Sequence, residues 1–159
     1  MFWGTATEAR AVIYARLEKL ELPPLSSGQR VGEIHGPFAD QVHTLPARYD
    51  LKLPPRSATA KCLIPDPCFW TPRVPLFYQA SLAIPQREQD GIEFRQMIGI
   101  RRLGIVGTDF RWEGRRWVMR GVAVEPRTDL PLADFRETGT AAFVSNPADD
   151  FCEAASRKG

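Results

Sequence analysis

The 159 residues, 43% hydrophobic and 25% charged, describe a globular chain long enough to bury roughly 70% of its unfolded surface in one core. They are too few for a closed barrel of eight strand-helix units, which takes about 250 residues, and no apolar run approaches the ~20 residues of a membrane span. The net charge of +2 is too small to mark the whole chain as a polyelectrolyte binder, and the short run Ala11 to Ala15 is no signal-peptide core, so with Met1 as the start the expected location is cytoplasmic.

Ala9 to Leu22 reads two ways. Ala9, Val12, Ile13, Leu17 and Leu20 fit one helical face, while the same stretch suits an edge strand. The strand is preferred because its neighbours in the chain are themselves strand-like. Eleven of the 14 prolines fall between Pro23 and Pro85, a spacing no helical domain tolerates. Arg30 to Phe38, His43 to Leu53, Ser57 to Ile64 and Pro75 to Ile84 are short segments bounded by Gly or Pro, as in an all-β domain. Cys62, Cys68 and Cys152, with His35 and His43, have no spacing by which one local turn supplies two metal ligands. They read as packing residues, and no metal or cofactor is expected.

Ile92 to Ile98 alternates apolar and polar side chains, as does Phe110-Arg111-Trp112, so each can bury one face of a sheet. Glu113-Gly114-Arg115-Arg116 between Trp112 and Trp117 is a tight hairpin connection, with Gly114 free to take positive φ. Trp112 and Trp117 are either a cross-strand aromatic pair or two independent core residues. Residues 95–127 carry eight Arg against three acids, an excess of five positive charges that invites a nucleic-acid reading through Arg115, Arg116 and Arg120. The alternation of Arg with apolar residues and the lack of a groove-reading motif favour a solvated sheet face, so no nucleic-acid partner is expected.

Beyond Pro126 the pattern changes. Thr128 or Asp129 is placed to cap a helix running through Leu132, Phe135 and Arg136 to a stop near Gly139. Ala141 to Val144 suits a buried parallel strand. Asn146 as N-cap and Pro147 at the first helical position open a second helix with Phe151, Ala154 and Ala155 on its inner face. With Trp117 to Val124 as a strand, the order is strand, helix, strand, helix, the grammar of βαβ units.

Three segments carry a resemblance. Phe69-Trp70-Thr71-Pro72-Arg73-Val74-Pro75-Leu76-Phe77-Tyr78 is similar to a Trp- and Pro-containing segment at the start of a sandwich strand in glycoside hydrolase family 2, the β-galactosidase, β-glucuronidase and β-mannosidase group. Ile98-Gly99-Ile100-Arg101 resembles the Gly-Phe-Arg strand of those enzymes. Phe110 to Val122 resembles their hairpin, in which Asn-Gly-Lys is followed by Arg-Gly-Val. The resemblance spans residues 69–122. It implies a mainly β fold: residues 1–112 as an immunoglobulin-like β-sandwich, and residues 113–159 as the first strand-helix units of an incomplete barrel, with Trp117 to Val124 and Ala141 to Ser145 as its first two strands. Glu113 stands where the family has Asn. Ala123 replaces the Asn that follows Arg-Gly-Val, and no His comes after it, so polar groups that line the barrel mouth in the family are missing here.

A retaining glycosidase needs two carboxyl groups about 5 Å apart. In the family both are glutamates on later barrel strands, the acid/base in an Asn-Glu pair, and the single asparagine of this chain, Asn146, precedes proline. The nearest substitutes, Glu125 and Asp129, read as surface carboxylates. Asp149, Asp150 and Glu153 read as acids favoured by the start of a helix. Ser26-Ser27-Gly28 and Ser145 lack a nucleophile-elbow context, and Gly99, Gly104 and Gly107 form no phosphate loop. No catalytic residue is therefore assigned. The expected role is a non-catalytic sandwich fragment of a family 2-like protein, with carbohydrate as partner only through a missing or separate barrel. The rival is a stand-alone immunoglobulin-like binding module.

Overall fold

Short strands between prolines and glycines build one antiparallel sheet, which curls until its two edges approach each other. The computed structural model describes residues 1–16, 29–54, 57–84, 92–125 and 131–159. The sheet consists of β1 (Phe2–Ala6), β2 (Arg10–Arg16), β3 (Arg30–Phe38), β4 (Ala47–Lys52), β5 (Thr59–Pro65), β6 (Phe77–Ile84) and β7 (Ile92–Ile98), in the order β1-β2-β5-β4-β3-β6-β7. β4 meets β5 at only one residue pair, Lys52 with Lys61, whereas it follows β3 from Arg30/Lys52 to Gly36/Ala47. Buried residues of β2 and β5 share one core with those of β4, β3 and β6, and Phe2 of β1 stacks on Phe94 of β7 at 6.0 Å between ring centroids.

Side-chain alternation fills the interior. Paired positions Ala11/Ile64, Ile13/Cys62 and Ala15/Ala60 on β2 and β5 are all buried, as are Ile34 and Ala80 opposite each other on β3 and β6. Leu51, Tyr78 and Leu82 complete the core with Val31 and Ile100. Gly32 is required where β3 crosses β6, since a Cβ there would stand 2.0 Å from the Ser81 carbonyl oxygen. The strand reading of Ala9 to Leu22 holds for Arg10–Arg16 and the helical alternative fails there; Leu17 to Leu22 lie outside the described residues. β1 has no counterpart among the expected strands, and β4 begins at Ala47, four residues later than the predicted His43 to Leu53 segment.

The chain then forms a three-stranded meander, β8 (Leu103–Val106), β9 (Asp109–Trp112) and β10 (Arg115–Arg116). The expected hairpin is present with a shorter connection than Glu113 to Arg116: Arg115 and Arg116 belong to β10, and Glu113 at φ 51 and Gly114 at φ 78 make a two-residue turn, both in the left-handed region that a type I′ hairpin demands. Trp112 and Trp117 do touch, with ring centroids 5.7 Å apart.

The C-terminal segment is α/β, with four corrections to the sequence reading. β11 is Gly121–Val124 only, because Trp117 is still tied to the hairpin through its N–H, which donates to Phe110 O at 2.8 Å. β11 pairs in parallel with β12 (Ala141–Val144) as expected, but the pair is not buried: Val122 is 49% exposed and Phe143 46%. The helix α1 (Leu132–Thr138) has Pro131 at its N-cap and stops at Gly139, φ 64; Thr128 and Asp129, the predicted caps, lie outside the described residues. The helix α2 (Asp149–Lys158) starts two residues later than the Asn-Pro signal suggests. Asn146 takes a left-handed φ of 48 in the turn before it, which leaves Ala148 at the N-cap. Ala154 is exposed rather than inward, while Phe151 and Ala155 are half-buried. Among the described residues no helix is long and apolar enough to cross a membrane.

Candidate functional site

Several side-chain contacts between residues far apart in sequence converge where the sandwich meets α2. Trp70, in the segment before β6, is held by its backbone N–H donating to Ile100 O at 2.8 Å. Gly99 lies so close that an added Cβ would be 3.1 Å from Trp70 Cδ1. The indole is thereby pinned with its Nε1–H pointing at α2, where it donates to Ser156 O at 2.7 Å. Ser156 belongs to the last turn of α2, whose carbonyls have no intrahelical partner, so the indole fills a bond the helix cannot make for itself. The Arg101 guanidinium stacks 4.1 Å from the Trp70 ring centroid and donates to Ser156 Oγ at 3.1 Å. Trp112 meets Trp70 edge-on with ring centroids 6.1 Å apart, which carries the contact into the hairpin.

A second contact lies at the same end of α2. Arg157 stacks 4.9 Å from the Phe77 ring, lies 3.9 Å from Asp40 and donates to Glu153. Between α2, the outer face of β3 and β6, and the edges of β1 and β7 runs an open cleft of about 1130 Å³. Its carboxylates are largely occupied. Glu33 accepts from Arg48 at 2.6 Å and also binds Arg30, Glu93 accepts from Arg95 at 2.8 Å, and Glu153 accepts from Arg157. Carboxylates committed to guanidinium groups in this way are poorly placed to deliver a proton to a leaving group.

The carboxylates singled out in the sequence do not converge. Glu125 is exposed just past β11, and Asp129 lies outside the described residues. Asp149, Asp150 and Glu153 are exposed on the first turns of α2, and the Asp150 carboxylate accepts from the Phe151 N–H at 2.7 Å. Ser145 is exposed, as are Arg115, Arg116 and Arg120, with Arg116 lying 3.3 Å from Asp109. Cys62 is a buried free thiol whose pKa is pushed up to about 12 by burial and by the nearby Asp50 charge, and Cys68 and Cys152 are exposed and free. Among the described residues no three of His, Cys, Asp or Glu gather as a metal site. What the geometry builds is a mechanical junction. Its central contact joins residues 86 apart in sequence, a separation that no local pattern signals.

No family model and no curated protein matches this sequence. Solved structures do. A glycosyl hydrolase family 2 member from Bacteroides cellulosilyticus superposes with a TM-score of 0.63 at 17% identity, over 99% of this chain and 23% of its own. A β-glycosidase from Bacteroides vulgatus gives 0.67 at 15% identity, over 100% of this chain and 22% of its own. The β-glucuronidase from Ruminococcus gnavus gives 0.64 at 14%, over 99% and 28%. The fold is thus one found in glycoside hydrolase family 2 structures, and this chain spans about a quarter of their length.

Proposed function

We propose that this chain is a non-catalytic supporting portion of a family 2-like glycoside hydrolase, a sandwich followed by the opening strand-helix units of a barrel. The observation that carries the reading is the parallel β11–β12 pair that follows the sandwich and its short meander. Parallel sheets occur almost only with helices over both faces, and a bare two-stranded one has no independent stability. Half-exposed Val122 and Phe143 therefore suit a surface meant for further strands and helices.

Two features support an immunoglobulin-like sandwich. Seven short antiparallel strands are connected so that β5 returns beside β2, a Greek-key path. The Tyr78 hydroxyl, early in β6, accepts from the Cys68 N–H at 2.9 Å, ten residues upstream, as a tyrosine corner does. In the proposed role the sandwich steadies a barrel, supplied by a longer or separate polypeptide, and that barrel handles the carbohydrate.

Nitrophenyl glycosides test the reading. The purified 159-residue chain is expected to release no nitrophenol above the buffer rate. Turnover that disappears in Glu125→Gln would overturn the non-catalytic assignment.

A further inference from the structure

Among the described residues no strand is hydrogen-bonded to the outer edge of β7. Glu93 to Gly99 form one wall of the cleft, Phe2 to Ala6 of β1 form another, and among the described strands β6 is the hydrogen-bonded neighbour of β7. An open strand edge is a template for another strand unless its side chains refuse one. Here they select. On the outer face Glu93 and Arg95, 54% and 76% exposed, carry opposite charges two positions apart and pair with each other at 2.7 Å within the chain, a pair that a second copy would exchange for two across the edge, while between them Phe94, 46% exposed, stacks on Phe2 of β1.

We propose that the β7 edge is a docking surface for a second copy of this chain, pairing β7 with β7 in antiparallel fashion about a two-fold axis at Phe94. In that register Phe94 stands opposite Phe94 of the second copy, and Glu93 stands opposite its Arg95, with the reverse pair completing the symmetry. Both charge pairs are attractive, and the central pair joins two aromatic rings, the combinations that stabilise directly opposed positions. A register centred on Arg95 opposes two guanidinium groups, so the charges choose between neighbouring alignments. An isologous contact of this kind closes after two copies and leaves no growing edge at β7.

Light scattering on the size-separated full chain, over tens to hundreds of micromolar, reads the outcome. The expected result is a concentration-dependent species of twice the 17.9 kDa chain mass. Glu93→Arg alone and Arg95→Glu alone each place like charges opposite one another and should weaken association at least about tenfold. An equimolar mixture of the two variants restores both attractive pairs and should recover the dimer, which also shows that each variant is folded. A chain that stays monomeric over the whole range overturns the proposal, as does a dimer that persists in both single variants or a mixture that fails to associate.

Discussion

Trp70 shows how one side chain sets the position of a distant helix. Its Nε1–H to Ser156 O bond is directional and satisfies a helix-end carbonyl, and the ring also carries the Arg101 stack. Trp70→Phe keeps a ring in the pocket but deletes the donor. Stability should fall by about 1–2 kcal/mol, the cost of leaving a partly buried acceptor unpaired, whereas Ser156→Ala, which keeps the carbonyl, should change it by less than about 0.5 kcal/mol. Urea melts of the two variants against the parent separate them. Tyr78 and Cys62 make a second residue-scale case, because burial raises the pKa of both groups to about 12, from ordinary values of 10.0 and 9.0. Between those values the folded chain keeps protons that the unfolded chain has lost, so stability is unaffected by these two groups below pH 9 and falls as pH rises from 9 toward 12. Cys62→Ala should delay the onset of that fall to about pH 10, where Tyr78 takes over, as measured by denaturant midpoints across the alkaline range.

At the scale of elements, the hairpin between β9 and β10 has a correctable flaw. A type I′ turn places both central residues in the left-handed region, and Glu113 sits there at φ 51 with no side chain suited to it. Glu113→Asn gives the Asn-Gly pair that this turn prefers, and should raise stability by about 0.5–1 kcal/mol without altering the fold. A higher thermal midpoint with an unchanged near-ultraviolet spectrum is the expected reading. This turn is legible in the sequence because Gly114 and the flanking tryptophans mark it locally. The strands from β3 to β7 are legible for the same reason, with Pro and Gly bounding each one. β1 is not, since Phe2-Trp3-Gly4-Thr5-Ala6 has no clean alternation and gains its place only by pairing with β2. Asn146 misleads because Asn serves helix caps and left-handed turns equally well, and only the backbone of the folded chain distinguishes them. The apolar run of β12 shows what a strand could bury and says nothing of whether a covering layer is present, which is why burial was expected there and is not found. The Trp70–Ser156 junction lies beyond any sequence pattern, although Trp70 itself stands inside a segment that the resemblance marks.

For the whole molecule, the distribution of burial predicts two levels of stability within one chain. Among the described residues every buried hydrophobic side chain lies at or before Ile100, and α1 and α2 contain no buried residue. The C-terminal segment is attached chiefly through Trp70, Arg101 and Arg157, contacts that are few and partly solvated. Segments with little buried apolar surface open at a free energy well below that of global unfolding. Native-state hydrogen exchange should therefore divide the amides into two groups. Those of β2, β3, β5 and β6 should exchange only with global unfolding and respond steeply to denaturant. Those of β11, β12, α1 and α2 should exchange through smaller openings that respond weakly. Trp70→Phe sharpens the test, because it should speed exchange in α2 by roughly five- to thirtyfold, the kinetic image of 1–2 kcal/mol, and leave the relative ranking of the sandwich amides intact. Equal protection of β12 and β5 would show instead that the two parts unfold as one unit, and the β11–β12 pair would then need a source of stability other than a covering layer from further strands and helices.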